Sequence, residues 1–387
     1  MFSPGSSNLR GLLAARNEAL ADEVTGLRDA ILGARVPAPL EPFRQRLEQI
    51  CVQCAALTTE NHAHLHSKND DILEEVRSNI QQVTRSARLI GGVLAIPVLR
   101  ASDTDSLCLN VIAWVHAAHT ETAQIPAASG DGSIAIFPYT PAPIYYYPCL
   151  ERRRLLFLAL HFHEFGHLLY KLHQAEMDDI VRDLQLRIED DLRPRSRRND
   201  QHAARQAARL RSVVGAWYAW AQELFCDAAG LTLGGPAFMH AFGSYLSELR
   251  HADFHQPEDL LQRSTHPVTW LRVQFLARRA HRLGHIQAAQ LVRDEWALVA
   301  QSLGVQEDHH GFYVDSLESA VDSAIDDMLT EAGPRAALAE EVVPNRDWQP
   351  GDSPVLLLNR AWQVVERDRA GYSRWEEAAI AMVISST

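Results

Sequence analysis

The stretch "LALHFHEFGHLLYKLH", Leu158 to His173, holds four histidines within thirteen positions. Three of its residues could do chemistry together. His163, Glu164 and His167 form an HExxH pattern. On a helix, His163 and His167 lie only about 40° apart, one turn after the other, so both imidazoles leave the same face. Glu164 is offset to the side of that pair, where its carboxylate reaches a metal-bound water without taking a coordination position. Two neutral nitrogen ligands plus a general base is the equipment of a hydrolytic zinc site. Leu156, Ala159 and Leu160 continue the same face upstream, so the polar triplet should be buried. A buried carboxylate needs a partner, and a cation supplies one. His161 points to the opposite side, as a packing or surface histidine.

Two residues compete as third ligand. "HEFGHLLYKLH" is one residue short of the metzincin pattern HExxHxxGxxH, in which glycine ends the helix and turns the last histidine back to the metal. Here Tyr170 occupies that position, so the helix should continue and carry His173 about 120° away from His167. Glu223, in "AWYAWAQELFCDAAGL", is the better candidate. Asp227 stands one turn beyond it, placed to accept the second ring N–H of a ligating histidine. Gly230, on the same stripe, should let the two helices approach closely, while Trp217 and Trp220 pack the core. A third piece is "STHPVTWLRV", where His266 and Arg272 could face the negative charge that develops on an attacked carbonyl.

In this order, "HEFGH", "ELFCDAAGL" and "HPVTWLR" resemble the gluzincin peptidases, specifically the group of the CAAX prenyl proteases and HtpX-like proteases. The resemblance covers residues 151 to about 279. It implies zinc bound by His163, His167 and Glu223, with Glu164 as base and Asp227 as acceptor behind the ligands. His266 and Arg272 would stabilise the transition state or hold substrate. The chain lacks the membrane members' transmembrane helices, so a membrane or prenylated substrate is not implied. The group's Asn-Ala-Phe segment before the active helix is missing as well. The ImmA/IrrE-type regulatory proteases are a second, weaker resemblance, since their glutamate helix usually lacks the aspartate and the HP segment.

These residues need helices to position them. Positions 8 to 90 carry apolar residues at helical spacing. "SLCLNVIAWV" and "GSIAIF" read as short strands, and "PYTPAPIYYYP" is too rich in proline for a central strand but suits an edge. From Leu150 the chain turns helical again, broken at "RPRSRRND", "LGGP", "FHQPED", "EAGPRA" and "VPNRDWQPGDSP". The expected fold is mainly α, an α+β zincin-like arrangement with one small sheet before the HExxH helix. Three parts are expected: an N-terminal helical region (1–100), the metallopeptidase core (101–300) and a C-terminal helical region (301–387).

Bulk composition narrows the function. With 37 basic against 49 acidic residues the net charge is −12, which disfavours nucleic acid as a partner. Only Lys68 and Lys171 are lysines, an arginine bias that fits a GC-rich bacterial genome. The first twenty residues lack a signal peptide's basic flank and continuous apolar core. The apolar run from Leu89 to Leu99 is too short to span a bilayer. An odd, low count of five cysteines fits a reducing compartment, so a cytoplasmic setting is expected. The expected activity is zinc-dependent endoproteolysis of a peptide or protein substrate. Alternatives are a non-catalytic interaction protein on a zincin scaffold, an ImmA/IrrE-like regulatory protease, and a hydrolase of non-peptide amides. Other conspicuous groups read as structural: the histidines of "NHAHLH", the pair Cys51 and Cys54, Cys226, and His309 and His310 in "EDHHGFY". "RPRSRRND" reads as an exposed loop.

Overall fold

The computed structural model describes residues 4–67, 69–193, 200–247, 257–304 and 309–385. Most of the "RPRSRRND" and part of the "FHQPED" and "EDHHGFY" segments fall outside these residues. The chain is mainly helical, with a single three-stranded sheet. No helix among the described residues is long and apolar enough to cross a membrane.

Helices α1 (Pro4–Gly33), α2 (Glu41–His66) and α3 (Leu73–Leu89) form an N-terminal bundle. After α3 the chain widens into a π turn at Ile90–Leu94, then closes with the short helix α4 (Ala95–Leu99). The bundle has its own core, in which Ile31, Phe43, Leu47, Val76 and Val83 are fully buried. Each such side chain contributes about 1.5–3 kcal/mol through burial. A polar ladder threads this core. Asn17 donates to the Thr58 carbonyl at 2.8 Å, Asn61 to Asn17 at 3.2 Å, and Asn79 to Asn61 at 3.1 Å. Leaving any rung unpaired in an apolar interior is costly, so the ladder favours one register of the three helices.

The segment read as a strand, "SLCLNVIAWV", is instead helix α5 (Ser106–Ala117). Its β-branched residues favour strands, but burial on several sides overrides that preference. Leu109 packs into the bundle core, while Leu107, Val111, Ile112 and Val115 pack into the central core. Upstream, the Asp105 carboxylate accepts from the Ser102 backbone N–H at 3.0 Å and fixes the entry turn.

Strands β1 (Ala128–Asp131), β2 (Ala135–Phe137) and β3 (Ile144–Tyr147) lie in the order β1-β3-β2. The β1–β3 pair is parallel and the β2–β3 pair antiparallel. Thus "IYYY" is the central strand, not an edge. Its prolines, Pro143 and Pro148, stand just outside the paired residues and cost no ladder bond. Alternation explains its composition: Ile144 joins the bundle core, whereas Tyr145 and Tyr147 join the central one.

The central core is built on α6 (His161–Leu172), α7 (Gln174–Leu192), the long α8 (Asp200–Gly234) and α9 (Pro236–Ser247). Then follow α10 (Glu258–Leu261), α11 (Thr269–Arg282) and α12 (Ile286–Ser302). The last elements are α13 (Glu318–Ala332), α14 (Ala339–Val342), α15 (Pro354–Arg367) and α16 (Tyr372–Ser385). Val321, Ile325, Met328, Val355 and Leu358 belong to the same core as α6 and α8. These C-terminal side chains thus pack into the same core as α6 and α8.

Candidate metal centre

Helix α6 begins after a single 3-10 turn at Leu158–Leu160. Its contact with α8 depends on Gly166. A Cβ there would lie 2.9 Å from Cys226 Cα and 3.3 Å from its Sγ, too close to backbone for any side chain to fit without movement. Gly230, expected to serve this contact, instead faces the Phe238 ring of α9, 2.5 Å from where its Cβ would be. The glycine that admits α8 is the one inside HEFGH.

That close approach brings Glu223 between the two histidines. Its Oε2 lies 3.5 Å from His163 Nε2 and its Oε1 lies 3.6 Å from His167 Nε2. Donor atoms bound tetrahedrally at about 2.0–2.2 Å from one ion are about 3.3–3.6 Å apart, and each histidine lies at about that spacing from one of the two Glu223 oxygens. Glu223 Oε2 is buried yet accepts no hydrogen bond. Its charge is met by ion pairs with Arg272 Nη2 at 3.3 Å and His163 Nε2 at 3.5 Å, and a bound cation would add to these.

Behind the trio, Asp227 Oδ1 lies 2.8 Å from His163 Nδ1, on the ring side away from Glu223. The ring N–H is not aimed along that line, so the contact is one of charge more than a well-formed hydrogen bond. Arg272 donates to Asp227 through Nε at 2.9 Å and Nη2 at 2.7 Å, and its Nη2 is 3.3 Å from Glu223 Oε2. The guanidinium also rests on the Phe242 ring, 4.9 Å from its centroid. Arg272 is buried and does not line the cleft. The expected contact with substrate or transition state is therefore corrected: Arg272 positions the two carboxylates.

Electrostatics follow from this layout. Burial alone would depress His163, but Asp227 and Glu223 outweigh it and raise its pKa to about 10. Burial, with the charge on His163, lowers His167 to about 4. Burial raises Glu223 and Asp227, yet His163 and Arg272 hold both carboxyls below their ordinary values. Burial lifts Glu164 to about 7, with His163 opposing and Glu223 adding to the rise.

Buried His163 and Cys226 and half-buried His167 offer ligand atoms within 4.8 Å of one another, so this group could bind a metal ion. Cys226 and Glu223 thus compete as third donor. Burial, followed by the charges of Glu223, Asp227 and Glu164, pushes the Cys226 thiol well above its ordinary pKa, whereas binding requires thiolate. Glu223 is already ionised, and its oxygens sit at the tighter spacing. Charge favours Glu223, whereas the set of single donor atoms that lie mutually close is the one with Cys226. Sequence reasoning treated Cys226 as packing; its position three residues after Glu223, opposite Gly166, was the available signal.

A cavity of about 460 Å³ opens over this centre, walled by His163, Glu164, His167, His266 and, from β2, Ala135 and Ile136. His266 Nε2 reaches 3.5 Å from Glu223 Oε2, although more than half of its side chain is exposed. Its loop is braced by Ser264 Oγ donating to the His266 carbonyl at 2.7 Å and by Trp220 Nε1 donating to the Ser264 carbonyl at 3.2 Å. Trp217 and Trp220 are fully buried, as core residues should be. Helix α6 continues through Tyr170, and His173, just past its end, contacts Glu121 at 2.7 Å and Glu331 at 3.4 Å instead of the centre. His161 is fully buried against Cys108, its Nε2 2.7 Å from Sγ. Cys51 and Cys54 are buried thiols raised by desolvation, Cys51 to about 11, and neither meets a metal-ligand group among the described residues.

Compared with family models, curated proteins and solved structures, the chain matches none.

Proposed function

We propose that this chain is a zinc-dependent endopeptidase of the gluzincin type, cutting peptide bonds in a protein substrate. The observation that carries the reading is the convergence of His163 and His167 on the two oxygens of Glu223, one of them buried without a donor, with Glu164 beside them. A zinc ion held by His163, His167 and Glu223 would supply Lewis acidity, lowering a water's pKa towards ~7 and polarising the substrate carbonyl. The remaining work falls to side chains. Glu164, with its pKa raised to about 7, takes the proton of the attacking water and passes it to the leaving amine nitrogen. His266, facing the cavity, donates to the oxygen on which negative charge develops. Among the described residues strand β2 is paired only with β3, and it borders the cavity, so an extended peptide can add to it by main-chain pairing. Arg272 and Asp227 keep His163 and Glu223 aimed. All five cysteines are free thiols, which supports a reducing, cytoplasmic setting.

Glu164→Gln should retain about one zinc per chain while turnover falls by roughly 10²–10⁴-fold. New N-termini are to be compared between a cell lysate treated with the native chain and one treated with Glu164→Gln. Termini that appear only with the native chain identify the substrate. Identical sets from both proteins would reject the reading.

A further inference from the structure

The cleft does not end at the metal centre. His163, His167 and Lys171 follow at four-residue spacing, so Lys171 continues the same stripe of α6 one turn past His167, and it lines the same cavity. Its Cα lies roughly 9 Å along the helix axis from the midpoint between the histidines. The neighbourhood is built to hold it there. Lys171 Nζ donates to Gln174 Oε1 at 2.6 Å. Asp178 Oδ1 accepts from both the Tyr170 hydroxyl at 3.0 Å and the Tyr218 hydroxyl at 2.8 Å, which locks two rings of the cavity wall.

The charges at this end are unbalanced. The hydrogen bond given for Lys171 Nζ goes to the neutral Gln174 amide, and the one acid in the wall of this cavity is Glu164, at the metal end. In a chain of 49 acidic and 37 basic residues, an ammonium set alone in a cleft wall is against the overall trend. Lys171 is solvent-exposed and lines the cavity. An extended peptide advances about 3.3 Å per residue, so roughly 9 Å corresponds to two or three residues from the bond being cut.

We infer that this end of the cleft binds a substrate carboxylate two to three residues from the scissile bond, with Lys171 setting the preference. The inference rests on the peptidase reading above. Either an acidic side chain within the peptide or the free carboxylate of a chain end has this chemistry. The first makes the protein an acid-directed endopeptidase. The second makes it a trimmer of chain ends.

A zinc-loaded chain is to be tested against a peptide library with Glu or Gln fixed at each position and every member made as free acid and as C-terminal amide. Cleavage is read with the native chain, and binding by fluorescence anisotropy with Glu164→Gln. A Glu-over-Gln preference at one position supports the side-chain source; an acid-over-amide preference supports the chain-end source. Lys171→Met should cut either preference about five-fold, as expected for an exposed ion pair, and Lys171→Glu should turn it towards Lys. Equal handling of Glu and Gln and of acid and amide, a preference untouched by Lys171→Met, or no binding at all overturns the inference. If the native chain cleaves nothing while Glu164→Gln still binds the acidic peptides through Lys171, the binding inference stands and the hydrolytic reading fails.

Discussion

His161 and His163 stand two residues apart on one buried helix and have opposite electrostatic fates. His161 is enclosed by Cys108 and the Tyr147 ring, 4.5 Å between ring centroids, with no carboxylate beside it. Burial, reinforced by the charge of Arg152, drives its pKa to about 3, so it is a neutral packing group. His163 is also buried, but α8 places Asp227 on one ring nitrogen and Glu223 near the other, and its pKa rises to about 10. The difference lies in what the neighbouring helix brings, not in burial or residue type. One face of α6 is a core; the other is a charged centre assembled from two helices and an arginine.

The strongest way to break the contrast is to remove the carboxylate that stands between His163 and His167. Glu223→Ala should abolish stoichiometric zinc after dialysis, whereas Cys226→Ser and His173→Ala should each retain about one zinc per chain by elemental analysis. Retention in Glu223→Ala together with loss in Cys226→Ser would move the third ligand to the thiol. Next in size is the arginine. Arg272→Met leaves Asp227 and Glu223 buried without their cation, and breaking such a pairing costs about 3–5 kcal/mol. Urea unfolding of the metal-free protein measures this, and added zinc should recover part of the loss because it binds only the folded form. A cost below about 1 kcal/mol would mean that Arg272 is dispensable to the centre.

A smaller effect tests how the helices meet. Gly166→Ala inserts a Cβ against Cys226 Cα at 2.9 Å, where backbone cannot step aside locally. Overpacking of this kind costs about 1–3 kcal/mol, and the forced separation should also draw Glu223 away from the histidines. Zinc affinity should therefore fall along with stability. Unchanged affinity in a folded Gly166→Ala protein would show that the α6–α8 distance does not set the site.

Much of the charged face was legible in the sequence, because a metal site prescribes residue types at fixed helical spacing. The two helices bring Glu223 near His163 and His167, and Asp227 near His163, as the shared faces of α6 and α8 suggest. Tyr170 likewise predicted that the helix would run on and strand His173 away from the centre. What escaped is tertiary. Arg272 could not be told from a substrate contact, since only packing turns its guanidinium inward onto Asp227. The helical state of "SLCLNVIAWV" depends on its being flanked by two cores, which overrides a β-branched composition. The central position of β3 was hidden because proline counting across "PYTPAPIYYYP" ignored that the paired residues themselves contain none. The C-terminal helices looked separable only because helical periodicity does not say against which core a face will pack.

The smallest effect sharpens the comparison by pH. His161, His116 and His240 are all held neutral by burial, with pKa values lowered to about 3, 4 and 4. In the unfolded chain a histidine titrates near 6.5. Between that value and the folded one, the unfolded state binds more protons. Their contribution to stability is therefore complete above about pH 6.5 and is lost progressively as pH falls towards 4, at about 1.4 kcal/mol per pH unit for each histidine. His163 has the opposite sign. Its raised value makes a contribution that is complete below about pH 6.5 and lost as pH climbs through about 10 in metal-free protein. Urea midpoints from pH 4.5 to 9.5 should thus fall at both ends. His161→Met should flatten the acid limb alone by one histidine's share. His163→Ala should flatten the alkaline limb and, because its charge also acts on His167 and Glu164, shift the acid limb as well. If His161→Met altered the alkaline limb, the two faces of α6 would not be electrostatically independent, and the division between core and charged centre would have to be redrawn.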